Sequence, residues 1–112
     1  MTEPVNKAQL LELKDLLGDE FEELIANFLH ESQTHLKTIL TALDQSNNSL
    51  GSTAALSLKG ESANLGATEL TSFCQKLIFE CKANRIQHSD VLVHTVREEL
   101  HRVNHFLRHQ TA

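Results

Sequence analysis

The chain contains no tryptophan and no tyrosine, a single proline (Pro4), four glycines and two cysteines. So few breakers leave long stretches free to run as helix. The apolar positions are filled chiefly by Leu and Ala, good helix formers, rather than by β-branched residues. There is no cluster of Lys or Arg, and the formal net charge is −5. A duplex-binding surface needs clustered positive charge, so nucleic acid is not the expected partner. No run approaches the ~18 consecutive apolar residues of a membrane span, and Met1 to Gln9 is polar where a signal peptide would be apolar. A cytoplasmic protein is expected. Cys74 and Cys81 lie seven apart, on one face of a helix but too far apart axially to bridge easily. They read as reduced core residues, not as a disulfide framework.

What is present fits one domain over residues 1–112, long enough for a single core. Pro4 and Asn6 precede a short amphipathic run, Leu10, Leu13, Leu16 and Leu17, ended by Gly18. Asp19 is placed to cap a longer helix whose apolar residues, Phe21 through Leu43, recur at helical spacing to about Asp44. Gln45 to Asn48 is turn chemistry. A third helix is predicted from Ser49 or Ser52 to Leu65, stopped by Asn64 and Gly66. A fourth carries Leu70, Cys74, Leu77 and Cys81 on one stripe and stops at Asn84. Ser89 or Asp90 then caps a fifth with Val93, Val96, Leu100, Val103 and Leu107 as its seam. The expected architecture is an all-α antiparallel four-helix bundle with a short additional N-terminal helix.

The most specific segment is Ala55-Leu56-Ser57-Leu58-Lys59-Gly60-Glu61-Ser62-Ala63-Asn64-Leu65-Gly66-Ala67. It resembles the motif of histidine-phosphotransfer (HPt) domains, which typically reads Ala-His-x-Leu-Lys-Gly-x-Ser-x-x-Leu-Gly-Ala. Every fixed position agrees except the histidine, where Leu56 stands. The resemblance extends to Leu17-Gly18-Asp19-Glu20-Phe21 with Phe28-Leu29, and to Leu70, Cys74 and Leu77, covering roughly Ala8 to Leu107. It implies a module of a two-component phosphorelay, a cofactor-free monomer whose partner is a receiver domain, a hybrid histidine kinase, or both.

In such domains an exposed imidazole attacks a phosphoryl group held on a receiver aspartate and passes it on. The reaction needs a lone pair, in-line geometry and charge neutralisation, and little else from the protein. Lys59 lies three residues beyond position 56, so its ammonium shares that helix face and can reach phosphoryl oxygens. Gly60, one turn above, removes a side chain from a partner's approach path. Leu56 has no lone pair and cannot form a phosphoramidate. Ser57 lies about 100° round the helix and is no positional substitute. Two further departures accompany Leu56. Ile78 follows Leu77 where the family often has Gln or Glu, and Glu61 follows the glycine where a small residue is common. Two coordinated apolar replacements favour a natural degenerate member over an engineered His-to-Leu variant of an active phosphotransfer protein. Leu56 and Ile78 are expected to centre a small apolar patch on the docking face, bordered by Asn27 and Glu31. The partner-binding set is then Leu56, Lys59, Gly60, Ile78, Asn27 and Glu31, with no catalytic residue.

Seven histidines are present, five of them in the last quarter: His88, His94, His101, His105 and His109. The pairs His101/His105 and His105/His109 have the i,i+4 spacing that can hold a metal ion, which gives a metal-binding bundle as a rival reading. No rigid motif supplies a third ligand, so a solvated polar face is preferred and no metal is expected. His35 falls near the Asn27/Glu31 stripe and is the one candidate for a displaced phosphoacceptor. A hydrolase is not supported: the chain has no Gly-rich phosphate loop, Gly-x-Ser-x-Gly elbow or His-Glu-x-x-His pattern.

Overall fold

Asn6, Gly18, Asn47, Gly66 and Asn84 punctuate the chain, and the helices run between them. The computed structural model describes residues 3–110, so the ends of the expected 1–112 domain lie outside the described residues. The helices are α1 (Lys7–Leu17), α2 (Glu20–Asp44), α3 (Asn48–Leu65), α4 (Thr68–Lys82) and α5 (Asp90–Gln110), with a single 3-10 turn at Ile86–His88. The Asn6 side chain accepts from the Gln9 N–H to cap α1. Gly18, at φ +56°, ends it.

Asp19 does not cap α2 as expected. Its own φ/ψ of −65°/−21° is already helical, whereas a capping residue needs extended backbone, and its side chain makes no cap bond. Glu20, Glu22 and Glu23 in the first turn instead complement the positive end of the helix dipole. α3 begins at Asn48, earlier than Ser49 or Ser52, because Asn47 Oδ1 accepts from the Leu50 N–H at 3.0 Å. The α3–α4 turn is a Schellman motif: Gly66 sits at φ +80°, its N–H reaches Ala63 O, and Ala67 N–H reaches Ser62 O at 2.9 Å. Asn84, at φ +59°, closes α4 the same way, with Arg85 N–H donating to Glu80 O at 2.8 Å. The Ser89 hydroxyl donates to Arg85 O at 2.8 Å, and the Ser89 carbonyl accepts from the Val93 N–H.

Helices α2, α3, α4 and α5 surround one hydrophobic core, each packing on the next in order and α5 closing back on α2. α3 and α4 form the most extensive pair. This is the four-helix bundle expected, with α1 laid across α2 and one end of α3. Gly51 explains how α3 comes so close to the α4 end. A Cβ there would stand 2.5 Å from Ile86 Cδ1 and 3.1 Å from Cys81 Sγ. Cys74 and Cys81 are buried and unbridged, as read from their spacing. Burial pushes the Cys74 thiol up to about 12 and the Cys81 thiol also upward, so neither offers a thiolate at neutral pH. Among the described residues no helix is long and apolar enough to cross a membrane.

Candidate functional site

The site is an exposed stripe of α3. On this helix Gly51, Ala54, Ala55, Leu58, Ser62 and Leu65 face the core, which turns Leu56, Ser57, Gly60, Ala63 and Asn64 to solvent and leaves Lys59 and Glu61 half-buried. Ser62 belongs to the motif for a structural reason: it is fully buried, and its hydroxyl is satisfied by Leu58 O at 2.6 Å. Leu56 is 60% exposed, so an apolar side chain stands on the surface where the motif places its reactive residue. Lys59 Nζ donates to Gln75 Oε1 on α4 at 2.5 Å, so the ammonium is steadied by a neutral amide and its charge stays uncancelled.

Ile78 does not join this surface. It is 4% exposed and packed in the core, so it cannot centre a docking patch. α4 is wedged between α3 and α5, which widens its buried arc to take in both Leu77 and Ile78. The exposed apolar neighbour is Phe79, at 64%. The Lys59–Gln75 bond and the approach of Gly51 to Cys81 set the antiparallel register of α3 on α4, which brings Leu56 level with Ile78 and Phe79. Leu56 precedes Lys59 by three residues and Phe79 follows Gln75 by four. Both therefore stand one turn from that bond, on its side of the hairpin. Neither Gln75 nor Phe79 was singled out from the sequence. Phe79 lies off the Leu70/Cys74/Leu77/Cys81 stripe, and that was the available signal.

A Cβ at Gly60 would meet nothing within 4 Å. The glycine is therefore not demanded by packing inside this chain, and in a helix interior it costs about 0.5–1 kcal/mol relative to alanine. Gly60→Ala is expected to raise stability by that amount in urea unfolding, with the slope unchanged.

Asn27 and Glu31 are exposed on α2 and line a shallow pocket with Leu24, Phe28, Glu61, Asn64 and Leu65. They flank the Gly60 end of the stripe rather than Leu56, which lies five residues before Glu61, about 7.5 Å along the helix axis. The half-buried His35 faces Glu61, with Nε2 3.3 Å from the carboxylate. A phosphoryl group brought to that nitrogen would meet a carboxylate where Leu56 has Lys59, which argues against His35 as an acceptor. Burial, and then the Glu31 carboxyl hydrogen-bonded to it, push Glu61 above the usual carboxylate range, against the pull of His35. The five C-terminal histidines are all exposed. The His105 and His109 rings lie 4.2 Å apart with their planes tilted by 44°, and His109 Nδ1 lies 2.8 Å from the backbone oxygen of His105.

Comparison with known proteins follows the same lines. A model of the Hpt domain family matches residues 23–106, three-quarters of the chain. Among solved structures, the chain is similar to histidine-containing phosphotransfer protein B (HptB) from Pseudomonas aeruginosa PAO1, with a TM-score of 0.92 and 23% identity over 98% of this chain and 96% of that one. At that identity the likeness speaks for the fold. No curated protein matches. The bundle, the Lys59-Gly60 stripe and the extent of the family match lead to one conclusion: this chain belongs to the Hpt domain family, the phosphotransfer modules of two-component phosphorelays.

Proposed function

We propose that this chain is a non-phosphorylatable member of its family, which docks a receiver domain of a response regulator or hybrid kinase without taking its phosphoryl group. The observation that carries the reading is Leu56, 60% exposed beside a cation and a clearance that it leaves without a nucleophile. Leu56 and Phe79 give the docking face its apolar centre, Lys59 its charge and Gly60 its closeness of approach. Burying one such side chain contributes about 1.5–3 kcal/mol, enough for two of them to dominate a small interface. Gly60 supports the same reading. A residue that weakens its own helix and fills no internal need is accounted for by a partner's surface. Holding a receiver in this way sequesters it from active phosphotransfer proteins or scaffolds it.

Isothermal titration against the receiver domains of the source organism tests the proposal. At least one receiver is expected to bind, and Leu56→Asp and Phe79→Asp are each expected to weaken it tenfold or more, about 1.4 kcal/mol. Gly60→Ala weakens docking while it stabilises the fold. His101→Asp, on the exposed side of the helix diagonal to α3, leaves binding unchanged. Binding to no receiver, or uptake of labelled phosphate by the unmodified chain, overturns the reading.

A further inference from the structure

We propose that Glu31, His35 and Glu61 form a binding site for a divalent transition metal of the zinc class, bridging α2 and α3 beside the docking stripe. Glu31 and His35 are i,i+4 on α2, so their side chains stand one above the other on the same face. Glu61 reaches them from α3, and one donor atom from each of the three residues lies within 4.8 Å of the others. One imidazole nitrogen and two carboxylates are a donor set that zinc and its neighbours take, with a fourth position left for water. That position opens to solvent here, because Glu31 is exposed.

Two details favour a metal over a simple ion pair. His35 Nε2 stands 3.3 Å from each oxygen of Glu61. A charge-assisted N–H···O bond closes to about 2.7–2.9 Å, and a carboxylate facing one donor normally does so with one oxygen. At 3.3 Å from both oxygens the contact is looser than a committed ion pair, and Glu31 brings a third donor to the same point. Second, Glu61 Oε1 is itself buried and accepts no hydrogen bond. A carboxylate oxygen taken out of water without a hydrogen bond is costly, and the groups around it are His35, 3.3 Å away, and a second carboxyl, Glu31. A divalent cation would give that oxygen a hard partner and hold both carboxyl groups in their ionised form. The cluster also gives a role to Glu61, which replaces the small residue common after this glycine.

Zinc and cobalt titrations of the purified full chain decide the matter. One equivalent of Zn²⁺ is expected by calorimetry, Co²⁺ should give the visible absorption of a tetrahedral site, and zinc should raise the melting temperature. Glu61→Gln, which keeps the volume and the helix, and His35→Ala should each weaken binding at least tenfold and abolish the zinc-dependent shift in melting. Far-UV circular dichroism of the metal-free variants checks that they fold. His105→Ala should bind as the unmodified chain does, because its exposed i,i+4 histidines are not ligands of this site. Failure of the unmodified chain to bind either metal, or binding that survives Glu61→Gln, overturns the proposal. Receiver titration in the presence of a chelator reads the docking function separately.

Discussion

Leu56→His is expected to turn a chain that accepts no phosphoryl group into one that does. The gain is large because only one atom type is missing. Loss of a nucleophile in an enzyme costs on the order of 10³-fold or more, and the surrounding groups do not replace it. Here those groups are in place: the side chain at 56 is mostly exposed, Lys59 is one turn away with its charge uncancelled, and Gly60 is clear. The substitution itself is mild, since histidine in an exposed helical position costs less than about 1 kcal/mol relative to leucine. Its imidazole would lack a dedicated orienting partner, because Gln75 is committed to Lys59 and Ile78 is buried. Transfer should therefore be slower than in a member with a polar residue there, but clearly above the unmodified chain. Transfer of labelled phosphate from a phosphorylated receiver measures it. A Leu56→His chain that binds a receiver and stays unlabelled would mean that position 56 is not where the phosphoryl group arrives.

The second large effect separates two leucines only two residues apart. Leu58→Ala is expected to cost about 2–5 kcal/mol, whereas Leu56→Ala costs less than about 0.5 kcal/mol. Leu58 is fully buried among the bundle helices, and Leu56 is on the surface. With a urea slope of about 1–3 kcal/mol/M, the first shifts the unfolding midpoint by roughly 1 M or more and the second scarcely moves it. Receiver binding should respond in reverse order, with Leu56→Ala weakening it and Leu58→Ala, where folded, leaving it intact. Equal losses of stability would mean that α3 is rotated from the orientation described.

The same pair shows what the sequence makes legible. Motif spacing alone turns Leu58 inward and Leu56, Lys59 and Gly60 outward, because 100° per residue fixes relative directions within one helix. Gly18, Gly66 and Asn84 likewise mark helix ends, since each needs or tolerates a left-handed backbone. What periodicity does not give is the width of the buried arc. Ile78 stands 100° from Leu77, and whether that is core or surface depends on how α3 and α5 flank α4. With Ile78 turned into the core, the next residue, Phe79, is the one that faces out. The Glu61–His35 contact joins residues 26 apart in sequence, so it depends on the packing of α2 on α3, which no local pattern encodes. Asp19 failed as a cap for the opposite reason: residue type suited the role, but the Gly18 turn had already placed it in helical conformation.

The end of α3 is fastened by the start of the chain. Gln9 Nε2 donates to Ala63 O at 2.9 Å, and Asn6 N–H donates to Gly66 O at 2.8 Å. Last-turn carbonyls of a helix ordinarily fray, and their neighbouring amides trade protons with water long before the molecule opens as a whole. Here that opening must await the release of α1. Protection against hydrogen exchange at Ala63 to Ala67 is therefore governed from more than fifty residues upstream, and a chain trimmed back past Gln9 would exchange these amides faster while the core amides keep their protection.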